Sequence, residues 1–385
     1  MMRILMVADV PPNPNSGASG TEYQTVAALR RLGHDVDTVW ADDLSHRIKH
    51  GNLHSLIEQP LAYRSTVLAK MKAHDFDVVH ANQPHGYLAA RALARVPRAP
   101  VFVHRSHGLE SRVREVLRPW RRSFPSAVSH PRRAASTVMA SLLEYSNRAI
   151  ARYADGHIVS SSLCSEFLER QYGVPKEAVA TIAQAPPEFF RVTPVIGLDR
   201  RRISRLLYVG QFAFVKAPHV LVAAFEEILK QFPDSTLTWV CDAKHHPQAA
   251  SLLNPIAREK VSFKGWMAQG DLLNIYDDHG VFLFPSLFEG FGKAFIEAMA
   301  RGLVVICSAE GGAVDIIVNG VNGMLVPTGS PASIAAAYGK AMRDPAFSMA
   351  LGSEARKTAL LYTWDRAAEE TLEFYRRLID RKCRE

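Results

Sequence analysis

Cysteine is scarce in this 385-residue chain: Cys164, Cys241, Cys307 and Cys383 lie far apart, with no C-x-x-C pair among them. That spacing argues against a disulfide-stapled framework and a cysteine zinc site, and it suits a reducing compartment, so a cytoplasmic location is expected. Long apolar runs are missing as well. None approaches the roughly 18 residues a membrane-spanning helix needs, and the densest, 281–284 and 303–307, have the length of buried strands. The opening stretch 1–9 is too short for the apolar part of a signal peptide and runs directly into Pro11-Pro12, so it reads as a first β-strand. No G-x-G-x-x-G follows the first strand of either half, which disfavours a nicotinamide dehydrogenase. No repeat of 20–50 residues is evident.

What is present is ordinary in amount and informative in order. Hydrophobic residues make up 48% and charged residues 22%, a balance that excludes disorder and collagen-like sequence. The length favours two domains over one. Short β-like runs alternate with helical patterns, the sequence form of a parallel-sheet α/β architecture. In the first half the strands are read at 3–8, 35–39, 78–80, 101–104 and 156–160, with helices such as 21–31 before the Gly33 stop and 87–94. The pattern restarts with a strand at 205–209, a helix at 218–231, strands at 237–241 and 261–264, and a helix at 272–277. A strand at 281–285, a helix at 294–300 and a strand at 304–307 complete it. A Pro-rich stretch around 186–197 suits a linker. The expected domains are therefore 1–195 and 196–364, two Rossmann-like domains facing each other across a cleft. A terminal helix at 365–385, with no strand after it to feed, is expected to cross back to the first domain.

Charge is unevenly placed. Residues 1–195 hold 24 Lys and Arg against 17 Asp and Glu, a net of +7, whereas 196–385 hold 22 against 21, a net of +1. The excess concentrates in 112–133, where Arg112, Arg114, Arg118, Arg121, Arg122, Arg132 and Arg133 stand against Glu115 alone, interleaved with Val113, Leu117, Trp120 and Phe124. Such a segment can lie on an anionic membrane surface or take a phosphorylated acceptor; the alternative is a solvated basic face. A nucleic-acid partner is not expected.

The most informative stretch is Pro285-Ser286-Leu287-Phe288-Glu289-Gly290-Phe291-Gly292-Lys293-Ala294-Phe295-Ile296-Glu297. A strand, a glycine-bearing turn and a helix N-terminus in sequence form an anion site, because unpaired N–H groups and the positive end of the helix dipole point outward there. Glu289 and Glu297 are eight residues apart. At helical rise that is roughly 12 Å, beyond the separation of paired glycosidase carboxylates but of the order that separates sugar from ribose in a nucleotide sugar.

These motifs carry a resemblance. The E-G-F-G…E-A-M-A-R-G run, followed by Gly311-Gly312-Ala313-Val314-Asp315 and Asn319-Gly320-Val321-Asn322-Gly323, resembles the donor-site signature of retaining glycosyltransferases of family four, which have the GT-B fold. Residues 11–22 with 32–36 are similar to the family's glycine-rich loop and second strand. Asp77-Val78-Val79-His80 and His107-Gly108 resemble its acceptor-side segments, 208–216 the start of its second domain, and Thr363-Trp364 its carboxy-terminal crossover. The resemblance implies sugar transfer from a nucleotide diphosphate donor to an acceptor hydroxyl with retention. The donor is a substrate and no separate cofactor is implied. Since no D-x-D appears in a matching context, no metal is implied either.

Carried over residue by residue, the resemblance makes Glu297 the ribose ligand and Glu289 a contact to the donor sugar. Lys216 becomes the cation on the diphosphate, and His107 a group near donor sugar and acceptor. Catalytic roles thus fall to His107, Lys216 and Glu289. Donor binding falls to Gly20, Gln211, Lys216, Glu289, Gly290, Phe291, Gly292 and Glu297, and Gly17, Ser19 and Gly20 form the loop that caps the diphosphate. Arg112, Arg118, Trp120, Arg121 and Arg122 are left to an acceptor or an anionic membrane surface, with a lipid-linked, phosphorylated or glycan acceptor and a peripheral position at the inner face of the membrane. Three departures stand out, the first being Gln184-Ala185-Pro186-Pro187-Glu188 in place of the family's usual Asn-Gly-Val-Asp after the interdomain strand. Gln211 occupies a place where the family usually has Arg, with Arg191, an arginine of 200–205 or Lys293 as substitutes, and Ser19 replaces the first glycine of a Gly-Gly pair. A catalytically weak scaffold that binds a nucleotide sugar or a partner, and a nucleotide-sugar epimerase, are the alternatives.

Overall fold

The structure is a computed structural model that describes residues 1–14, 17–44, 48, 54–123 and 130–384, without the side chains of 121–123 and 130–140. It divides into two compact units, one of residues 1–183 with 364–385 and one of residues 184–363.

In the first unit six parallel strands, β1 (Arg3–Val7), β2 (Asp35–Val39), β3 (Val78–Asn82), β4 (Val101–Arg105), β5 (Gly156–Val159) and β6 (Val179–Thr181), form one sheet in the order β2-β1-β3-β4-β5-β6. β3 and β4 are buried along their whole length. Helices cover both faces of such a sheet, and that is why these strands read as continuous apolar runs rather than alternating ones. The exceptions are polar groups buried near the carboxyl ends, His80, Asn82, His104 and Arg105. Helix Ala18–Arg31 turns its Val26, Ala28 and Leu29 inward and ends before Gly33, whose φ of 82° is the left-handed backbone that glycine adopts without strain.

Helix Trp364–Lys382 belongs to this unit, as the terminal crossover was expected to. It packs Ala367, Ala368, Leu372, Phe374, Tyr375 and Leu378 inward, and each large apolar side chain so buried contributes on the order of 1.5–3 kcal/mol. Gly156 of β5 makes room for it: a Cβ there would come within 2.8 Å of the Phe374 ring. Ion pairs Arg31–Asp365 at 2.5 Å and Lys382–Asp155 at 2.8 Å tie its two ends down.

The second unit repeats the scheme with β7 (Arg205–Val209), β8 (Thr236–Val240), β9 (Val261–Lys264), β10 (Val281–Phe284), β11 (Val304–Ser308) and β12 (Met324–Val326), in the order β12-β11-β10-β7-β8-β9. All five pairings are parallel. Helix Pro218–Gln231 opens with proline at its first position, where the missing N–H costs nothing, and buries Val220, Leu221, Ala224, Phe225 and Ile228. Residues 190–194, read above as part of the linker, are bound within this unit. Arg301, fully buried, pairs bidentately with Asp277 at 2.8 Å and donates to the carbonyls of Phe190, Thr193 and Pro194 at 2.7–3.0 Å.

Each sheet has one place where neighbouring strands send their chains to opposite sides, between β1 and β3 and between β7 and β10. Ligands of open α/β sheets bind outside the strands' carboxyl ends at that place.

Candidate functional site

In the second unit the loops after β7 and β10 meet at this switch point. Leu287 N–H donates to the Val215 carbonyl at 2.9 Å, joining the two loops. Across the junction Lys216 Nζ lies 2.6 Å from Glu289 Oε1, which also accepts from Ser286 Oγ at 2.7 Å. Glu289 is buried and Lys216 partly so. The Gly311-Gly312 pair holds the loop from behind. A Cβ on Gly311 would come within 2.5 Å of Glu289 Cβ, and one on Gly312 would enter the Phe291 ring, while Gly312 N–H donates to the Phe291 carbonyl at 2.9 Å. Gly290 and Phe291 are buried in the turn, and Gly292 caps the next helix at φ 95°, where any side chain is strained.

Helix Lys293–Ala300 carries Glu297 on its second turn. Glu297 accepts from the Tyr276 hydroxyl at 3.1 Å. Burial pushes its carboxyl above the ordinary range, against the opposing charge of Lys293 and the Tyr276 hydrogen bond. Lys293, one turn earlier, is pushed down by burial and held up by Glu297. A cation and a carboxylate therefore share one face at the helix start.

The substitutes proposed for a missing arginine at position 211 separate cleanly. Gln211 itself is exposed. Arg191 donates to the Leu360 carbonyl at 3.1 Å and Arg202 is buried with bonds to the carbonyls of Ile196, Gly197 and His279, whereas Arg200 and Arg201 are exposed. Of the named substitutes, Lys293 is the one that stands at the start of the Glu297 helix.

In the first unit His107 follows β4. Its Nε2 lies 2.8 Å from Glu22 Oε1 on helix Ala18–Arg31, and Glu22 is only 1% exposed. Burial alone would raise the Glu22 carboxyl; the His107 hydrogen bond and the charges of Arg105, His107 and His80 outweigh it and hold it at about 2. The expected glycine-rich loop is partly helical, since the helix begins at Ala18 and includes Ser19 and Gly20. Ser19 Oγ bonds the Pro11 carbonyl and accepts from Asn13 N–H at 3.0 Å, so a hydroxyl closes the loop. A Cβ on Gly20 would meet the Pro14 carbonyl oxygen at 2.6 Å.

The basic segment divides. Helix Glu110–Ser123 exposes Arg118 and leaves Trp120 partly exposed, whereas Arg112 is buried. The side chains of Arg121, Arg122, Arg132 and Arg133, and residue Phe124, lie outside the described residues. Among the described residues no helix is long and apolar enough to cross a membrane, and no group of His, Cys, Asp and Glu is placed to hold a metal ion.

Three contributors were not singled out from sequence: Ser286, Tyr276 and Glu22. Glu22 alone carried a readable signal, a carboxylate four and seven residues before Val26 and Leu29 on the buried helix face.

The family description Glycosyltransferase Family 4 matches residues 16–184, and Glycosyl transferases group 1 matches residues 202–358. A D-inositol 3-phosphate glycosyltransferase of Frankia alni is 29% identical over 331 residues, 82% of this chain and 78% of its own. The first curated relatives align over 42% to 52% of their length, so the chain spans about half the length of those proteins. Sucrose-phosphate synthase from Thermosynechococcus elongatus matches with a TM-score of 0.73 at 23% identity over 98% of this chain and 99% of that one. HepE of Anabaena, solved with UDP-glucose, matches with a TM-score of 0.67 at 17% identity over 97% and 100%. These likenesses show the GT-B fold.

Proposed function

Because the chain belongs to the GT-B glycosyltransferases of family four and group 1, we propose that it moves a hexose from a nucleoside diphosphate donor to an acceptor hydroxyl, with retention and without a metal. The observation that carries this reading is the Lys216–Glu289 pair at the β7/β10 switch point, with Lys293 and Glu297 on the helix that follows. Glu297 takes the ribose hydroxyls, its carboxylate recovering by two charge-assisted hydrogen bonds what burial costs it. The diphosphate sits at the start of helix Lys293–Ala300, where N–H groups, Lys216 and Lys293 face it. As the glycosidic bond breaks, the leaving diphosphate gathers negative charge, and fixed cations stabilise that charge more than they stabilise the intact donor. Glu289 holds Lys216 and contacts the sugar; His107 serves the sugar and acceptor side.

The first unit supplies the acceptor site. Its net charge of +7, and the phosphate in the name of the Frankia relative's substrate, favour an anionic acceptor, phosphorylated or lipid-linked, met at the cytoplasmic face of a membrane through Arg118, Trp120, Arg121 and Arg122. Titration calorimetry with UDP, GDP and ADP, followed by turnover of the matching sugar donors, tests the donor reading. The anomeric configuration of the product, read by NMR, tests retention. A weakly active scaffold is favoured by one observation, the exposed Gln211; nucleotide binding without any turnover would establish it.

A further inference from the structure

We propose that Glu22 is a positioning residue for His107: it holds the ring with the proton on Nε2 and leaves the Nδ1 lone pair to accept a hydrogen bond from a substrate hydroxyl. This rests on the reading that His107 meets substrate. An ionised carboxylate can only accept hydrogen bonds, so the 2.8 Å contact between Glu22 Oε1 and His107 Nε2 requires that nitrogen to carry hydrogen. In a neutral imidazole the other nitrogen is then an acceptor.

Three features make the contact more than a surface ion pair. Glu22 is 1% exposed and stays ionised there, its carboxyl held at about 2 despite burial. Arg105, also 1% exposed, lends Glu22 its charge while donating through Nη1 to Thr25 Oγ1, one turn along the same helix, at 3.0 Å. His80, on the neighbouring strand β3, is buried and bonded by the Tyr375 hydroxyl of the terminal helix. The His107 ring is the hydrogen-bond partner of Glu22 Oε1, and Glu22 Oε2 has none among the described residues, so the carboxylate's hydrogen bond is the one that orients the ring.

The opposite end of the ring is the informative one. His107 Nδ1 is buried and has no protein partner among the described residues. A buried polar atom without a partner is rare in folded proteins and is commonly met by water or ligand. With Glu22 fixing the tautomer, that ligand atom is a hydrogen-bond donor, which selects a hydroxyl over a fully ionised phosphate oxygen.

The test uses the full chain labelled with 15N-histidine, with His107→Gln to identify the resonances of this ring. The expected wild-type spectrum shows the Nε2–H tautomer dominant, and Glu22→Gln, which can donate as well as accept, loses that dominance. In the same variant kcat for whichever of UDP-, GDP- or ADP-glucose the wild type turns over should fall about 10- to 100-fold, with KM and nucleoside diphosphate affinity changed less than about threefold. A wild-type ring protonated on Nδ1, or unchanged kcat in folded Glu22→Gln, overturns the proposal. Should the variant fail to fold, the wild-type spectrum still decides. If no sugar donor is turned over, the glycosyltransferase reading fails, whereas the tautomer measurement continues to judge Glu22 by itself.

Discussion

Lys216 Nζ and Glu289 Oε1, 73 residues apart in sequence, lie 2.6 Å apart. The ammonium is half of a pair whose carboxylate is steadied by Ser286, so the charge is already oriented before any diphosphate arrives. Preorganised charge of this kind avoids reorganisation during bond breaking. Lys216→Ala should therefore lower kcat by about 10²–10³-fold, beyond any change in donor affinity. A change confined to KM would make Lys216 a binding residue with no special action on the leaving group.

Glu297 and Tyr276 should differ in weight. Glu297→Ala removes the carboxylate proposed to take two ribose hydroxyls, and loss of about 2–3 kcal/mol would weaken nucleoside diphosphate binding by roughly 30- to 150-fold. Tyr276→Phe removes one neutral donor at 3.1 Å and should cost only about 1 kcal/mol, roughly fivefold. Calorimetric affinities that rank the two variants in reverse would refute the ribose assignment.

Position 211 is exposed, and the neighbouring Lys216 is already engaged with Glu289. Gln211→Arg adds a planar, permanently charged group, and donor binding should tighten by about tenfold if it reaches the diphosphate. Unaltered affinity in the variant would show that Lys293 already fills that role.

Glu110 gives a pH test of the first unit. Burial raises its carboxyl to about 7, with the Asp9 charge adding to the rise and a backbone hydrogen bond opposing it. The folded state then binds this proton more tightly than the unfolded chain does. Its contribution to stability is full below the ordinary carboxylate range near 4.5 and is lost as pH rises through about 7. The difference in Tm between wild type and Glu110→Gln should shift against the wild type as pH goes from about 5 to 8. Taking the difference cancels the buried histidines His80 and His157, which are pushed down to about 3 and 4 and destabilise in the opposite direction as pH falls. Parallel Tm curves would place Glu110 in an ordinary solvated setting.

The basic helix is tested on vesicles. Arg112 is buried and Arg118 exposed, and the test takes Arg118 together with Arg121 and Arg122, whose side chains lie outside the described residues. Each contributes about 1 kcal/mol near an anionic bilayer and is screened beyond a Debye length. Wild type should co-sediment with anionic vesicles at low salt and much less at physiological salt, and an Arg118/Arg121/Arg122→Ser variant should lose most of that binding. Equal sedimentation of the two proteins would reduce the segment to a solvated face.

The strands that position the site are legible because both sheets are covered on two faces. β1, β7, β10 and β11 are runs of four or five residues that are almost wholly apolar, bounded by turn residues. β6 and β12 escaped because three residues are too few to show any period. The glycine turn and helix start at 285–297 were equally plain, since their parts are consecutive and their chemistry depends on local backbone.

By itself, then, the sequence determined the two α/β units and the glycine turn with Glu289 and Glu297 on either side of the helix start. Tertiary structure alone decided which distant groups meet: Lys216 with Glu289, His107 with Glu22, and Arg301 with the 190–194 backbone. Periodicity along a chain reports which face of an element is apolar, whereas the partner of a buried charge is chosen by sheet order and by the cost of leaving that charge unpaired.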